Sequence, residues 1–334
     1  MFGEDVIAGL YNRLVMETGS RFVSTLDKTR EQIFSDCYSS FILGCQGPDI
    51  FYHNQSRRPL AIEYGSLLHR RNCGFFSIGL LKNGHLNPHH AAYALGFMTH
   101  AVLDRLCHPY IIYHCDRNYH SFFERIIDVL MLKELRGLEP PAWDREKELA
   151  GICESPPQGL KELIAVSLAG AFPERVNKDK NLAIRIDNAF ADCSRFYSLT
   201  SPSKTIASGY AGLTRRSLKY VYPENIPADV DFLNLEHKPW RYPYIPANAQ
   251  AQDDSRSFLD VYHDAVKTAV DDLAPCIILY LEDDIFPATA AAGRIGNGSL
   301  SIQDEDGRPC APNLTDPLPL SDVFDQQAKL RGVQ

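Results

Sequence analysis

The residues best suited to chemistry lie in the run His100-Ala-Val-Leu-Asp104-Arg-Leu-Cys-His108-Pro109. Residues four apart on an α-helix share one face, about 6 Å apart along the axis, so His100 and Asp104 can bind one metal ion. His108 lies a further turn on, roughly 12 Å from His100, which is too far for both to bind one ion through ~2 Å bonds. Because a carboxylate has two oxygens, Asp104 is the natural bridge between neighbouring ions.

A second pair with the same spacing follows in His120-Ser-Phe-Phe-Glu124. Two more candidate ligands come earlier: Asp49, in the turn Gln46-Gly-Pro-Asp49, and His69, which is followed by two arginines. Zinc accepts such nitrogen and oxygen ligands, and a multi-zinc site can clamp a phosphate ester and lower the pKa of bound water to about 7. The candidate metal ligands are Asp49, His69, His100, Asp104, His108, His120 and Glu124.

The other histidines of this region match the pattern less well. A single histidine on a helix is more often structural or exposed than a ligand, so the metal interpretation rests on the combined spacings. His114 is the main rival to His108, and His53 could serve either role. Surface or supporting roles are expected of His85, His89 and His90, and packing roles of the thiols of Cys107 and Cys115.

Helical periodicity runs through most of the chain and predicts the elements that position these residues. Strand-type alternation is nearly absent, so the predicted fold is all-α, a multi-helix bundle. Pro109 is expected to let the chain turn away just after His108. The helices predicted around the candidate ligands cover residues 5–17, 31–43, 62–81, 88–107 and 119–135.

The C-terminal region differs in composition from the rest. Residues 287–322 are rich in Gly, Ala, Pro, Ser and Asp, with little apolar surface to offset the entropy of ordering them. We therefore expect one helical domain over 1–286 and a flexible tail over 287–334.

The overall charge restricts the class of partner. A formal net charge of −8 argues against a protein that binds nucleic acid or anionic membranes non-specifically. Residues 45–124 differ, with seven Lys and Arg against five Asp and Glu, and nine of the eleven histidines. This region could hold metal together with an anionic substrate.

The cysteines and the N-terminus bear on the compartment. Nine cysteines with no C-x-x-C pair indicate neither a disulfide framework nor a zinc ribbon, and scattered free thiols are typical of a reducing compartment. The sequence opens with Met-Phe-Gly-Glu-Asp, without the features of a signal peptide, and no apolar run is long enough to span a bilayer. A cytoplasmic protein is expected.

Four motifs carry a family resemblance. They are Gly44-Cys-Gln-Gly-Pro-Asp-Ile-Phe51, Leu68-His69-Arg70, Gly96-Phe-Met-Thr-His100-Ala-Val-Leu-Asp104 with Cys107-His108-Pro109, and His120-x3-Glu124. Together they resemble the bacterial zinc-dependent phospholipase C family, an all-α fold whose three-zinc cluster is shared with single-strand nucleases of the P1 type. The resemblance covers roughly the first 135 residues.

The resemblance implies a role for each ligand. Asp49, His69, His100 and Asp104 would hold a first zinc, and His108, His120 and Glu124 a second. Asp49 would also position or deprotonate the attacking water. The family's third zinc uses an N-terminal residue, a histidine of the first helix and the shared aspartate, here Asp104. This sequence has no histidine before His53, so two zinc ions, or three with an upstream segment, are expected.

The sequence thus predicts a zinc-dependent hydrolase of phospholipase C type, in which a metal-bound hydroxide attacks a phospholipid or another small phosphodiester. One alternative is a nuclease or nucleotidase on the same metal scaffold, which net acidity and the lack of a basic, aromatic-interleaved groove disfavour. Another is a degenerate member that keeps zinc for structure and acts as a binding module. No stable nucleic-acid partner, and at most peripheral membrane contact, are expected.

Overall fold

A computed structural model describes residues 1–18, 36–281 and 293–333 of the chain. The described structure is mostly helical, with 61% helix and 2% strand, which confirms the predicted all-α class. None of the helices in these ranges has both the length and the apolar character needed to cross a bilayer. Residues 31–35 of one predicted helix, and the predicted domain end at 286, lie outside the described residues.

The chain forms two compact units. The first consists of Met1–Arg105, Gly151–Ser194 and Asp264–Pro309, and the second of Leu106–Ala150, Arg195–His263 and Cys310–Gln334. The helices, in chain order, are α1 Phe2–Thr18, α2 Tyr38–Gly44, α3 Asp49–Tyr52, α4 Ile62–Arg70, α5 Cys73–Gly84, α6 Pro88–His114, α7 His120–Arg136, α8 Arg145–Glu154, α9 Leu160–Ala171, α10 Pro173–Val176, α11 Leu182–Thr200, α12 Pro202–Ala207, α13 Arg215–Leu218, α14 Phe258–Leu281 and α15 Leu320–Leu330. Two short antiparallel strands, β1 Trp240–Arg241 and β2 Asp253–Asp254, pair in the second unit.

In the first unit α2 and α6 cross with their backbones in contact. A Cβ atom on Gly44 would lie 2.2 Å from the carbonyl oxygen of Tyr93, and one on Gly96 would lie 2.2 Å from that of Phe41. Only glycine allows so close an approach at both positions. The crossing brings the turn that follows α2 against the middle of α6, where His100 lies.

The single helix predicted over 62–81 is two helices, α4 and α5. Asn72 separates them with a left-handed φ of 62°, a conformation that asparagine tolerates better than most residues. Its side-chain amide donates to the carbonyl of Ala171 at 2.9 Å, and its backbone N–H donates to that of Asn297 at 3.1 Å. As a result, His69 lies in the last turn of α4 rather than in the middle of a long helix.

The expectation that the chain turns away at Pro109 is wrong, because α6 continues through it to His114. Proline removes one hydrogen bond from a helix interior, a cost that packing can offset. In the second unit Tyr110 and Ile111, directly after the proline, are buried. The hydroxyl of Tyr110 donates to the carbonyl of Phe232 at 3.0 Å, so tertiary contacts hold this last part of α6 in place.

The segment expected to be a flexible tail is structured where it is described. In the first unit Arg105 donates to the carbonyls of Ser299 at 3.2 Å and Gly298 at 3.4 Å, and to that of Ile295. The N–H of Leu300 donates to the carbonyl of His69 at 2.8 Å. Residues 293–309 therefore support the end of the helix that carries His69.

In the second unit α15 also lies in the segment expected to be a flexible tail, and it too is structured. The buried side chains recur at i, i+3, i+4, i+7 and i+8, a helical stripe that the average composition of the segment conceals. The ring of Phe324 packs against those of Tyr119 and Phe122, and the side chain of Gln327 hydrogen-bonds the backbone of Glu224 through both its oxygen and its nitrogen. The stripe consists of Leu320, Val323, Phe324, Gln327 and Ala328.

This packing predicts the stability of the C-terminal helix. Phe324→Ala should lower the free energy of unfolding by about 3–5 kcal/mol, because it removes a buried aromatic ring and leaves a cavity. Leu330→Ala, an exposed position on the same helix, should change it by no more than about 0.5 kcal/mol. Urea unfolding of both variants measures the difference, and equal values would show that α15 does not dock.

Candidate metal centre

Four side chains of the first unit converge, and we call them the first cluster: Asp49, His69, His100 and Asp104. Single ligand atoms of Asp49, His69 and His100 lie within 4.8 Å of one another. Nε2 of His69 is 3.1 Å from Oδ1 of Asp49. Oδ2 of Asp104 is 3.7 Å from Nε2 of His69 and 3.9 Å from that of His100. This spacing suits ligands that surround one ion through ~2 Å bonds.

Backbone carbonyls orient both histidines of the first cluster. Nδ1 of His69 donates to the carbonyl of Gly65 at 2.8 Å, and Nδ1 of His100 donates to that of Cys45 at 3.2 Å. Because a carbonyl only accepts, each Nδ1 carries a hydrogen and each Nε2 faces the carboxylates. Nε2 of His100 is buried and has no hydrogen-bond partner within the described ranges. A bound cation would satisfy this nitrogen, and carbonyl support of this kind is typical of histidine ligands to metals.

The turn before α3 is shaped around the His100 ring. Gly47 has a φ of +53°, and a Cβ there would lie 2.2 Å from Cδ2 of His100. Glycine is therefore required both by the backbone conformation and by the space. On another side the ring of Tyr52 stacks on His69, with centroids 4.8 Å apart.

Asp49 and His69 form an ion pair within the cluster. Burial lowers the pKa of His69, but the hydrogen bond and charge of Asp49, together with the charge of Asp104, raise it to about 9. Burial would raise the pKa of Asp49, but the hydrogen bond and charge of His69 hold it well below its usual value. Two carboxylates thus share this site with a cationic histidine, an arrangement in which a divalent cation can replace the proton.

A second group, in the second unit, contains His108, His120 and Glu124; we call it the second cluster. Its ligand atoms also lie within 4.8 Å of one another. Nε2 of His120 lies 3.1 Å from both Nε2 of His108 and Oε1 of Glu124, and the two imidazole rings stack with centroids 5.1 Å apart. Burial lowers the pKa of His120, but the charge of Glu124 and the hydrogen bonds of the ring with Cys115 and Glu124 raise it to about 10.

Each cluster keeps one carboxylate accessible to solvent. The Asp49 and Glu124 side chains are 44% and 42% exposed, whereas His69, His100, Asp104 and His108 are much more buried. A catalytic metal site needs an open position for water or substrate, and a purely structural site does not. The exposed carboxylates of Asp49 and Glu124 place both clusters within reach of water or substrate.

Comparison with known proteins agrees with this chemistry. Residues 17–163 match the family model described as zinc dependent phospholipase C. These residues belong to the zinc dependent phospholipase C family. No curated protein and no solved structure matches the chain. The matched range contains every residue of both clusters, and family membership makes zinc the metal to expect in them.

The remaining histidines of this phospholipase C-like region lie outside both clusters. His114 contacts the rings of Tyr110, Tyr113 and Trp240, and burial lowers its pKa to about 4. Other side chains interact with local groups instead: Nδ1 of His89 with Ser40 Oγ, Nε2 of His90 with the Gln158 carbonyl, and Nδ1 of His85 with the Lys82 carbonyl.

Two residues that support the candidate ligands, Gly47 and Arg125, could not be identified from the sequence. Gly47 gave a turn signal, but its contact with His100 depends on the crossing of α2 and α6. On α7, Arg125 follows the ligand Glu124; its Nη2 lies 2.6 Å from Oε1 of the buried Glu146, and its guanidinium covers the Tyr222 ring. These contacts fix the rotation of α7 about its axis. No local pattern pairs Arg125 with a residue 21 positions away.

The close contact between Gly47 and the His100 ring can be tested with two glycine substitutions. Gly47→Ala should weaken zinc binding by about 10–100-fold, because its methyl group displaces the His100 ring. Gly137→Ala is the matched control, with a φ of +63° but no atom within 4 Å of the new Cβ. Competition with a fluorescent zinc chelator measures both affinities. Equal weakening would mean that backbone strain, and not the ring contact, is responsible.

The number of protons released when zinc binds tests which histidines are its ligands. His69 and His120, with pKa values of about 9 and about 10, are protonated at neutral pH, so zinc should release protons on binding and its affinity should rise with pH up to those values. Calorimetry in two buffers of different ionisation enthalpy counts these protons.

His120→Ala should reduce both the proton release and the zinc bound. His114→Phe should leave both unchanged, since His114 is neutral and surrounded by aromatic rings. Loss of zinc in His114→Phe would place this histidine among the ligands.

Proposed function

We propose that this protein is a zinc-dependent phosphodiesterase of phospholipase C type. Family membership supports a zinc hydrolase in general. The observation that carries the finer proposal is the pairing, in each cluster, of imidazoles that are mostly shielded from solvent with a half-exposed carboxylate. That arrangement suits an ion that keeps an open position for a phosphate oxygen.

The ligands divide between two ions in this proposal. Asp49, His69, His100 and Asp104 would hold one zinc, and a second would bind His108, His120 and Glu124. When bound, zinc supplies Lewis acidity towards a phosphoryl oxygen and lowers the pKa of water. The bridging role of Asp104 stays a prediction.

The chain's own groups would orient the reactants. Asp49 is half-exposed and stays ionised, because the charge of His69 holds its pKa well below the usual value. A carboxylate with so low a pKa stores a proton poorly, so Asp49 would mainly orient the attacking water by accepting a hydrogen bond from it. The carbonyl of Gly65 accepts a hydrogen bond from Nδ1 of His69 and so keeps Nε2 of the ring directed at Asp49.

The test combines metal removal with a single substitution. A chelator should abolish hydrolysis of a soluble short-chain phospholipid, and added zinc should restore it. Asp49→Asn should reduce turnover by about 100-fold or more, because the amide cannot supply the negative charge. Asp187→Asn, at an exposed ion pair with Lys161, is the control and should keep full activity. The rate is measured in a coupled assay, in which a phosphatase releases inorganic phosphate from the phosphomonoester product.

The same assay separates the alternatives. Faster cleavage of a single-stranded oligonucleotide or a mononucleotide than of the phospholipid would favour a nuclease or nucleotidase on this scaffold. A zinc-loaded protein that cleaves none of these esters would contradict the proposal and favour a binding module stabilised by zinc.

A further inference from the structure

Two cations follow directly after a ligand of the first cluster. Arg70 and Arg71, at the C-terminal end of α4, are both exposed. Most arginines around them have ionic partners: Arg57 pairs with Asp192, Arg175 with Glu63 and Arg185 with Asp179. Among the described residues, Arg70 and Arg71 form no such pair. An arginine pair that is exposed and has no carboxylate partner is available to an anion from solution.

Arg70 lies beside the first cluster. It directly follows His69, on whose ring Tyr52 stacks. A group bound at Arg70 would be held beside the candidate metal centre.

The same unit exposes apolar side chains on α5, which follows these arginines, and on α9, which packs against α5. Phe75, in the first turn of α5, is 53% exposed. The two helices pack closely where a Cβ on Gly79 would lie 3.0 Å from Cα of Ser167, and Val166, next to that contact, is also exposed. A benzyl group and a branched aliphatic side chain that are exposed to solvent can enter the apolar boundary of a lipid surface.

Arginines without carboxylate partners next to an exposed aromatic ring, and not exposure alone, distinguish this surface. Single exposed apolar residues are normal in soluble proteins. Ile184, for example, is 51% exposed, but the neighbouring Arg185 is already held by Asp179. Only beside His69 do two free guanidinium groups and an exposed aromatic ring occur within six residues of each other in the described chain.

We propose that Arg70, Arg71, Phe75 and Val166 form an interfacial patch that docks the first unit on an anionic phospholipid bilayer. Guanidinium groups bind lipid phosphates, and apolar side chains enter the boundary between head groups and acyl chains. The net charge of −8 opposes approach to such a surface, so docking depends on this local patch. The inference rests on the proposed function, because it names the surface that presents lipid to the candidate centre.

Vesicle co-sedimentation with the full-length protein tests the patch. The vesicles are phosphatidylcholine alone, or phosphatidylcholine mixed with phosphatidylserine. Arg70→Ala/Arg71→Ala should reduce partitioning onto the mixed vesicles by roughly thirtyfold at low salt, and Phe75→Ser should reduce it several-fold at any salt. All variants should retain the zinc content of the parent protein, which shows that they fold.

Two variants serve as matched controls. Arg216→Ala/Lys329→Ala removes the same charge from exposed positions of the second unit, and Ile184→Ser removes an apolar side chain of equal exposure. Both should bind mixed vesicles like the parent. Equal loss in patch and control variants, or parent binding that is the same on both vesicle types, would overturn the inference.

Hydrolysis separates this inference from the proposed function. The ratio of the rate on mixed vesicles to the rate on a soluble short-chain phospholipid should fall in the patch variants. If both rates fall equally, the arginines act on the substrate itself and docking is refuted. If the patch controls vesicle binding while no ester is cleaved, docking is upheld and the proposed function fails.

Discussion

The first cluster depends on the contact between the backbones of α2 and α6 at Gly44 and Gly96. This contact leaves no room for side chains between the helices, so the turn after α2 is pressed against the His100 ring, and Gly47 alone fits there. The same turn ends at Asp49, which thereby reaches the imidazoles of α4 and α6. A larger residue at either crossing position would separate a carboxylate of the cluster from its histidines.

A second constraint is that the candidate ligands are held in place by groups outside the two clusters. Carbonyls of Gly65 and Cys45 fix two rings, and the Arg105 guanidinium anchors the loop that binds the carbonyl of His69. On α7 the buried pair of Arg125 and Glu146 has the corresponding role. Such support holds two carboxylates beside the cationic His69, whose charge offsets their mutual repulsion.

Charge is distributed unevenly over the protein. Acidic residues dominate overall, yet the C-terminal end of α4, directly after His69, carries two arginines without carboxylate partners. Under the proposed function, these arginines would attract a negatively charged phosphate ester towards the first cluster.

The sequence by itself determined the all-α class and the two i, i+4 ligand pairs, because helix geometry alone places His100 beside Asp104 and His120 beside Glu124. It also carried the motifs of the family to which residues 17–163 belong. Only the tertiary structure decided that Asp49 and His69 meet α6, that His108 rather than His114 faces His120, and that residues 293–309 and α15 are packed parts of the two units. These outcomes depend on contacts between residues far apart in the chain, such as the Gly44 and Gly96 crossing and the burial of Tyr110, and no local periodicity encodes them.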